Sequence, residues 1–305
     1  MRSAFNEELL KIARENNRIF MILADIGYGE IEPFAEAFPD RYFNVGVAEQ
    51  NMTGVACGVA LEGNIAVTYS IANFSTFRCL EQIRNDVCYH NTNVKIVVIG
   101  GGLAYGSLGV SHHSTEDIAI MRALPNMVVC CPADIQEARA ATHAMIAHNG
   151  PFYYRCGYKK EPDLHMGKID FQIGKAIKVC DGADVTLIGT GTVTYRVFQA
   201  AQLLLKRGIK ARVISMHTVK PLDKETILSA ARQTRAIVTV EEHNICGGLG
   251  GAVAEVLAEA GMGIPFKMLA LPDTYIHEVG THNWLLDRYG FSPEAIAITV
   301  SDIIS

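Results

Sequence analysis

Apolar positions recur at helical spacing over residues 3–16, after which the period changes. Ile19-Phe20-Met21-Ile22-Leu23-Ala24 is a continuous apolar run that ends at Asp25, with Gly27 and Gly29 just beyond. A buried strand closed by an acid and glycines is how a parallel sheet delivers groups to its carboxyl edge. The pattern then repeats, predicting strands at 65–69, 94–99 and 127–131 and helices at 73–89, 115–122 and 133–148. Phe43 to Val47 reads as a short buried strand or extended lead-in. Residues 52–61, rich in Ala, Gly and Val, read as a closely packed helix whose first turn carries Glu49. Such alternation with short connections implies an α/β fold, its parallel strands joined by right-handed crossovers. The exception is the glycine-rich run 100–109, longer than a median connection and placed where loops are commonly functional.

After Pro151-Phe152-Tyr153-Tyr154-Arg155 the periodicity lapses into a polar stretch containing Lys159, Lys160, Glu161, Pro162 and Asp163. From Gly174 a second α/β unit follows. Strands are expected near 175–179, 184–188, 210–214, 236–240 and 266–269, and helices near 193–206, 223–232, 250–260 and 293–304. The expected organisation is therefore two consecutive α/β domains with mainly parallel sheets, at 1–157 and 173–305, joined by a linker at 158–172.

Composition narrows the functional classes. Nearly half of the 305 residues are apolar, 19% are charged and the formal net charge is −5. No basic run interleaves with aromatics, so neither nucleic acid nor an anionic membrane is an expected partner. None of the eight cysteines forms a CxxC pair, and most lie inside apolar segments. That usage fits buried thiols in a reducing compartment. With no signal-like or membrane-spanning run, a cytoplasmic location is expected. No His/Cys cluster has metal-ligand spacing, so no metal ligands are expected on this chain.

Four groups of residues could carry chemistry. Glu49 is either a helix-start acid, stabilised by roughly 0.3–1 kcal/mol in the helix field, or a buried functional carboxylate, because its neighbours are almost all apolar or small. Phe74 and Phe77, three apart, are either a core stripe or a stacking platform for a flat heteroaromatic ring. His112 and His113 follow the glycine-rich loop, as capping histidines or as a proton shuttle at the mouth of a crevice. Asp25 closes the first strand at the same sheet edge.

Taken together these residues resemble transketolase. The resemblance rests on Asn44-Val45-Gly46-Val47-Ala48-Glu49-Gln50-Asn51, the Phe74/Phe77 pair, Gly109-Val110-Ser111-His112, His217-Thr218-Val219-Lys220-Pro221-Leu222-Asp223 and Val240-Glu241-Glu242-His243. It covers essentially the whole chain and is narrower still, to the C-terminal subunit of a split transketolase. It implies that Glu49 hydrogen-bonds N1′ of the thiamine diphosphate aminopyrimidine and favours the imino tautomer that removes the thiazolium C2 proton. Phe74 and Phe77 would pack on the pyrimidine, with Asp25 also at the cofactor. His112 would contact cofactor or substrate, with His113 beside it, and Arg155 would bind a substrate phosphate.

Two departures fall on the substrate side. Leu108 stands where the family has an acid that contacts a sugar hydroxyl, and Gly100 stands where a histidine is usual. The family's diphosphate- and Mg2+-binding Gly-Asp-Gly segment has only Cys180-Asp181-Gly182 as a near match, in the other domain. The resemblance therefore implies a partner: an N-terminal diphosphate-binding subunit supplying the Mg2+ ligands, in an α2β2 heterotetramer acting on sugars or sugar phosphates. Two alternatives stand beside this: a β subunit of a 2-oxoacid dehydrogenase E1 component, and a non-catalytic interaction subunit.

Overall fold

In the computed structural model, residues 1–158 and 161–304 are described. Lys159 and Lys160 of the expected linker, and residue 305, lie outside them. β-Branched and aliphatic runs bounded by polar turns form twelve strands among the described residues: β1 Ile19–Leu23, β2 Tyr42–Asn44, β3 Ile65–Ile71, β4 Val94–Ile99, β5 Val128–Cys130, β6 Phe152–Cys156, β7 Ile177–Cys180, β8 Val185–Gly189, β9 Ala211–Ser215, β10 Thr218–Lys220, β11 Ile237–Asn244 and β12 Phe266–Leu271. They build two sheets, ordered β10-β5-β6-β4-β3-β1-β2 and β12-β11-β8-β9-β7. Every pairing is parallel except β10 with β5 and β7 with β9. The two-part, mainly parallel α/β architecture is the one expected.

Both faces of each sheet are covered, which is why the central strands read as largely apolar runs. On β4, Val97 and Ile99 pack with Phe5, Leu9 and Tyr154 on one face. Ile96 and Val98 pack with Met52, Ala56 and Ile83 on the other. In the second sheet Leu187 and Val213 meet Val197 and Leu204, while Ile188 and Ile214 meet Leu249 and Val253.

Three features depart from the expected pattern. Phe43 is 41% exposed rather than buried, because β2 is the edge strand and pairs only with β1. The helix expected over 73–89 is interrupted: Ala72–Thr76 and Leu80–Gln82 are separate helices, and Ile83–Tyr89 continues as a π-helix. β10, although it belongs to the second half of the chain, crosses over to pair antiparallel with β5 of the first. The segment after Pro162 is docked rather than loose. The Leu164 and His165 amides donate to Asp134 Oδ2 at 2.9 and 2.8 Å, and Phe171 stacks on His217 at 4.0 Å between centroids.

Lys95 of β4 is fully buried, and its ammonium donates to the carbonyls of His148 and Gly150 at 2.6 and 2.7 Å. Burial pushes its pKa down to about 7. The folded protein therefore binds fewer protons at this site than the unfolded chain between about pH 7 and 10.5. Stability contributed here rises with pH through that window and is least below it. The expected outcome for Lys95→Met is loss of that slope: wild type gains on the variant by up to about 1.4 kcal/mol per pH unit. Urea unfolding of both proteins from pH 7 to 10 checks it, and parallel curves would refute it.

Candidate active site

The candidate residues converge because they all follow strands at the carboxyl edge of one sheet. Asp25 follows β1, Glu49 follows β2, the Phe74 segment follows β3, and the loop bearing His112 follows β4. These four strands are neighbours in the order β4-β3-β1-β2, and the crevice outside such an edge is where open parallel sheets bind ligands.

Glu49 is the first residue of the helix Glu49–Leu61, and its carboxylate is 3% exposed. Gly46, at φ +75°, makes the turn that leads into it. A buried carboxylate has to be paired or used. Its Oε2 accepts from Arg78 Nη1 at 2.8 Å, and the Arg78 guanidinium also lies over the Phe74 ring, 4.5 Å from the centroid. His112 meets the same ring edge-on at 5.0 Å, and its Nδ1 lies 3.0 Å from Ser111 Oγ. Burial lowers the His112 pKa, so the imidazole is neutral at physiological pH.

Asp25 lies further out and is exposed. Its backbone adopts φ +51°, uncommon for a residue with a side chain. It accepts from the Tyr28 hydroxyl at 2.6 Å and from Asn44 Nδ2 at 3.4 Å, and the Tyr28 bond lowers its pKa. Asn44 in turn accepts from the Asp25 and Gly46 amides at 3.0 Å, tying the end of β1 to the turn before Glu49.

Phe77 and His113 line a second space. With Asn73, Glu116 and Tyr275 they border a cavity of about 330 Å³ between the first sheet's loops and the segment after β12. His113 is 4% exposed, and neither ring nitrogen has a hydrogen-bond partner. Burial lowers its pKa, against the opposing charge of Glu242.

Arg155 stands near the carboxyl end of β6, beside β4 at the same edge, but its side chain is turned away from Glu49. It is buried at the seam between the halves, where Nε donates to Asp117 Oδ2 at 2.8 Å and Nη2 donates to the carbonyls of Ser114 and Glu242 at 3.2 and 3.1 Å. Asp117 also accepts from Tyr153 at 2.7 Å. Glu242 accepts from the Leu103 amide at 2.5 Å and from His282 Nε2 at 2.8 Å. Against the expectation of a phosphate-binding guanidinium, Nε and Nη2 are turned to internal acceptors, while the side chain also borders a small space lined by Gly101, Gly191, Thr192 and His282.

Of the two departures from the family pattern, Gly100 has a structural counterpart. A Cβ on Gly100 would lie 2.3 Å from the Tyr105 ring, so Tyr105 fills the space a side chain at 100 would need. Tyr105 packs toward Tyr158 at 4.3 Å and His112 at 6.1 Å. Leu108 is 53% exposed in the loop.

Arg78 is not among the residues that sequence pattern singles out, although it stands four residues after Phe74, the spacing that would bring ring and cation together on the continuous helix expected over 73–89. Among the described residues no group of three His, Cys, Asp or Glu side chains is placed to hold a metal ion, and no helix is long and apolar enough to cross a membrane.

Comparison with known proteins addresses the same regions. The family pattern for the transketolase pyrimidine-binding domain matches residues 1–157, and that for the transketolase C-terminal domain matches residues 174–296. The chain is 35% identical over 305 residues to an apulose-4-phosphate transketolase subunit of Phocaeicola vulgatus, covering 99% of this chain and 97% of the relative. It is 38% identical over 300 residues to a putative transketolase C-terminal section of Methanocaldococcus jannaschii, covering 97% and 94%. A solved structure described as a split gene transketolase, inactive beta4 tetramer, superposes with a TM-score of 0.89 at 37% identity, covering 99% and 97%.

Proposed function

The chain belongs to the transketolase family, and we propose that it is the pyrimidine-binding half of a split enzyme, a C–C bond transferase of the two-carbon ketol class. Transfer would run from a ketose donor to an aldehyde or ketone sugar acceptor. The relatives named as a transketolase subunit or as a C-terminal section support the split arrangement. Their names also favour ketol transfer over the 2-oxoacid dehydrogenase alternative. The observation that carries the proposal is Glu49: a buried carboxylate at a sheet's carboxyl edge, with an aromatic ring and a flat N–H donor against it.

Those residues fit thiamine diphosphate. The guanidinium on Glu49 is a stand-in for a flat, delocalised ring with N–H donors, and it already uses the carboxylate and the Phe74 face together. When bound, the cofactor supplies a thiazolium carbon acidic enough to become the nucleophile. Glu49 would hold the N1′ proton, and its dry surroundings would keep that proton shared rather than lost to water. Phe74 would orient the ring and His112, neutral, would accept or donate a proton at donor or acceptor oxygens. Phe77, expected on the pyrimidine, lines the neighbouring cavity instead, and with His113 it would bound the substrate side from there. Asp25 would fix the turn that presents Glu49.

The diphosphate and Mg2+ are assigned to a second chain bearing the Gly-Asp-Gly segment, in an α2β2 assembly. The solved relative described as an inactive beta4 tetramer supports the need for that chain. Mixing this chain with such a partner should yield thiamine diphosphate and Mg2+ binding with ketol transfer, measured by calorimetry and by turnover of a ketose with an aldehyde. Tight binding and transfer by this chain alone would overturn the partner assignment. Turnover of a 2-oxoacid with a lipoyl acceptor instead would overturn the substrate class.

A further inference from the structure

We propose that Arg78 is a resident competitor of the cofactor: in the free chain its guanidinium occupies the aminopyrimidine's place, and it has to swing out before the cofactor seats. This rests on the reading of Glu49 and Phe74 given above. Two surfaces define that place, the Glu49 carboxylate and the Phe74 ring, and Arg78 takes both, at 2.8 Å to Oε2 and 4.5 Å to the ring centroid. A guanidinium and an aminopyrimidine share the chemistry that these surfaces recognise. Each is planar and delocalised, carries N–H donors at its edge and stacks through its face. A ring bonded to the same oxygen and stacked on the same phenyl overlaps the guanidinium, so the two exclude one another.

The local backbone is built for the exchange. Arg78 sits in the break between the helices Ala72–Thr76 and Leu80–Gln82, not inside either. Its side chain is 45% exposed, whereas that of Glu49 is 3% exposed. Arg78 can therefore leave for water without repacking a core, while Glu49 cannot follow it. The arrangement also answers what satisfies a buried carboxylate before the cofactor arrives, since a bare one is costly. Arg78 holds the Glu49 carboxylate in position, and the cost of displacing it lowers the apparent cofactor affinity.

The test uses the assembled complex with its diphosphate-binding partner, titrated with thiamine diphosphate and Mg2+ by calorimetry. Arg78→Ala is expected to tighten the dissociation constant by about two- to fivefold, the size of a half-exposed ion pair. Arg78→Lys, which keeps the charge but loses the plane, should fall between it and wild type. Free methylguanidinium at a non-denaturing concentration should weaken binding to the Arg78→Ala complex again and leave the wild type unmoved, an effect that a purely structural role would not produce. Unchanged or weaker binding in Arg78→Ala, in a complex whose melting curve matches wild type, overturns the proposal. If the wild-type complex itself binds no thiamine diphosphate, the cofactor reading fails and takes this proposal with it. Binding by wild type with no gain in the variant sinks the Arg78 proposal alone.

Discussion

Glu49→Gln in the assembled complex should lower ketol transfer by about 10²–10⁴-fold, the usual contribution of a positioned proton-transfer group. The substitution keeps shape and volume, so the helix Glu49–Leu61 and its packing through Met52 and Ala56 are undisturbed. What is lost is the ability to take and return a proton in a site where the carboxylate is 3% exposed. On the proposed arrangement, with the diphosphate held by the partner chain and the ring by the Phe74 face, cofactor binding should survive. The decisive measurement is therefore single-turnover rate at saturating cofactor. A variant that transfers at the wild-type rate would refute the Glu49 assignment and favour a non-catalytic role for the chain.

The parts of the fold that sequence makes visible are those where local pattern and tertiary environment agree. β1 is apolar on both faces because both are covered, β4 and β6 are so apart from the buried cations Lys95 and Arg155, and Glu49 can be placed on its helix start from Gly46 and the small residues that follow. Where long-range contacts decide, the pattern is silent. Nothing in Thr218-Val219-Lys220 says that this strand will join the other half's sheet, since three residues fit a strand in either sheet. Phe43 looks like a core residue until its strand proves to be an edge. Arg155 carries no mark separating a ligand-binding guanidinium from one locked to Asp117, because its acceptors at 114, 117 and 242 are distant in sequence. Arg78 is the one missed residue whose signal is local, since its spacing from Phe74 already places ring and cation together.

The seam around Arg155 supports the second large prediction. The Arg155–Asp117 pair is buried on both sides, at 8% and 0% side-chain exposure. Two charges removed from water hold only while each has the other, so deleting one leaves an uncompensated buried ion at a cost of about 3–5 kcal/mol. Asp117→Ala is expected to destabilise the chain by that amount in urea, whereas cutting the exposed Lys224–Glu259 pair, at 61% and 73% exposure, should barely move the midpoint. Asp117→Ala with Arg155→Met should cost less than the sum of the single changes, because the second removes the charge the first has stranded. The effect should not stay in one half of the molecule. Arg155 also bonds the Glu242 carbonyl, Glu242 holds His282 and the Leu103 amide, and β10 is paired to β5 across the same boundary. Burial alone would lower the His282 pKa, but the Glu242 charge raises it overall. That bond is then strongest below the ordinary histidine pKa and is lost as pH rises through the raised value. Unfolding followed separately from the single tryptophan, Trp284 in the second half, and from far-ultraviolet dichroism should give one coincident transition in wild type. In Asp117→Ala the tryptophan transition should come at a urea concentration as low as the dichroism does. A variant in which Trp284 keeps its wild-type midpoint while the rest unfolds early would show that the seam does not couple the two halves.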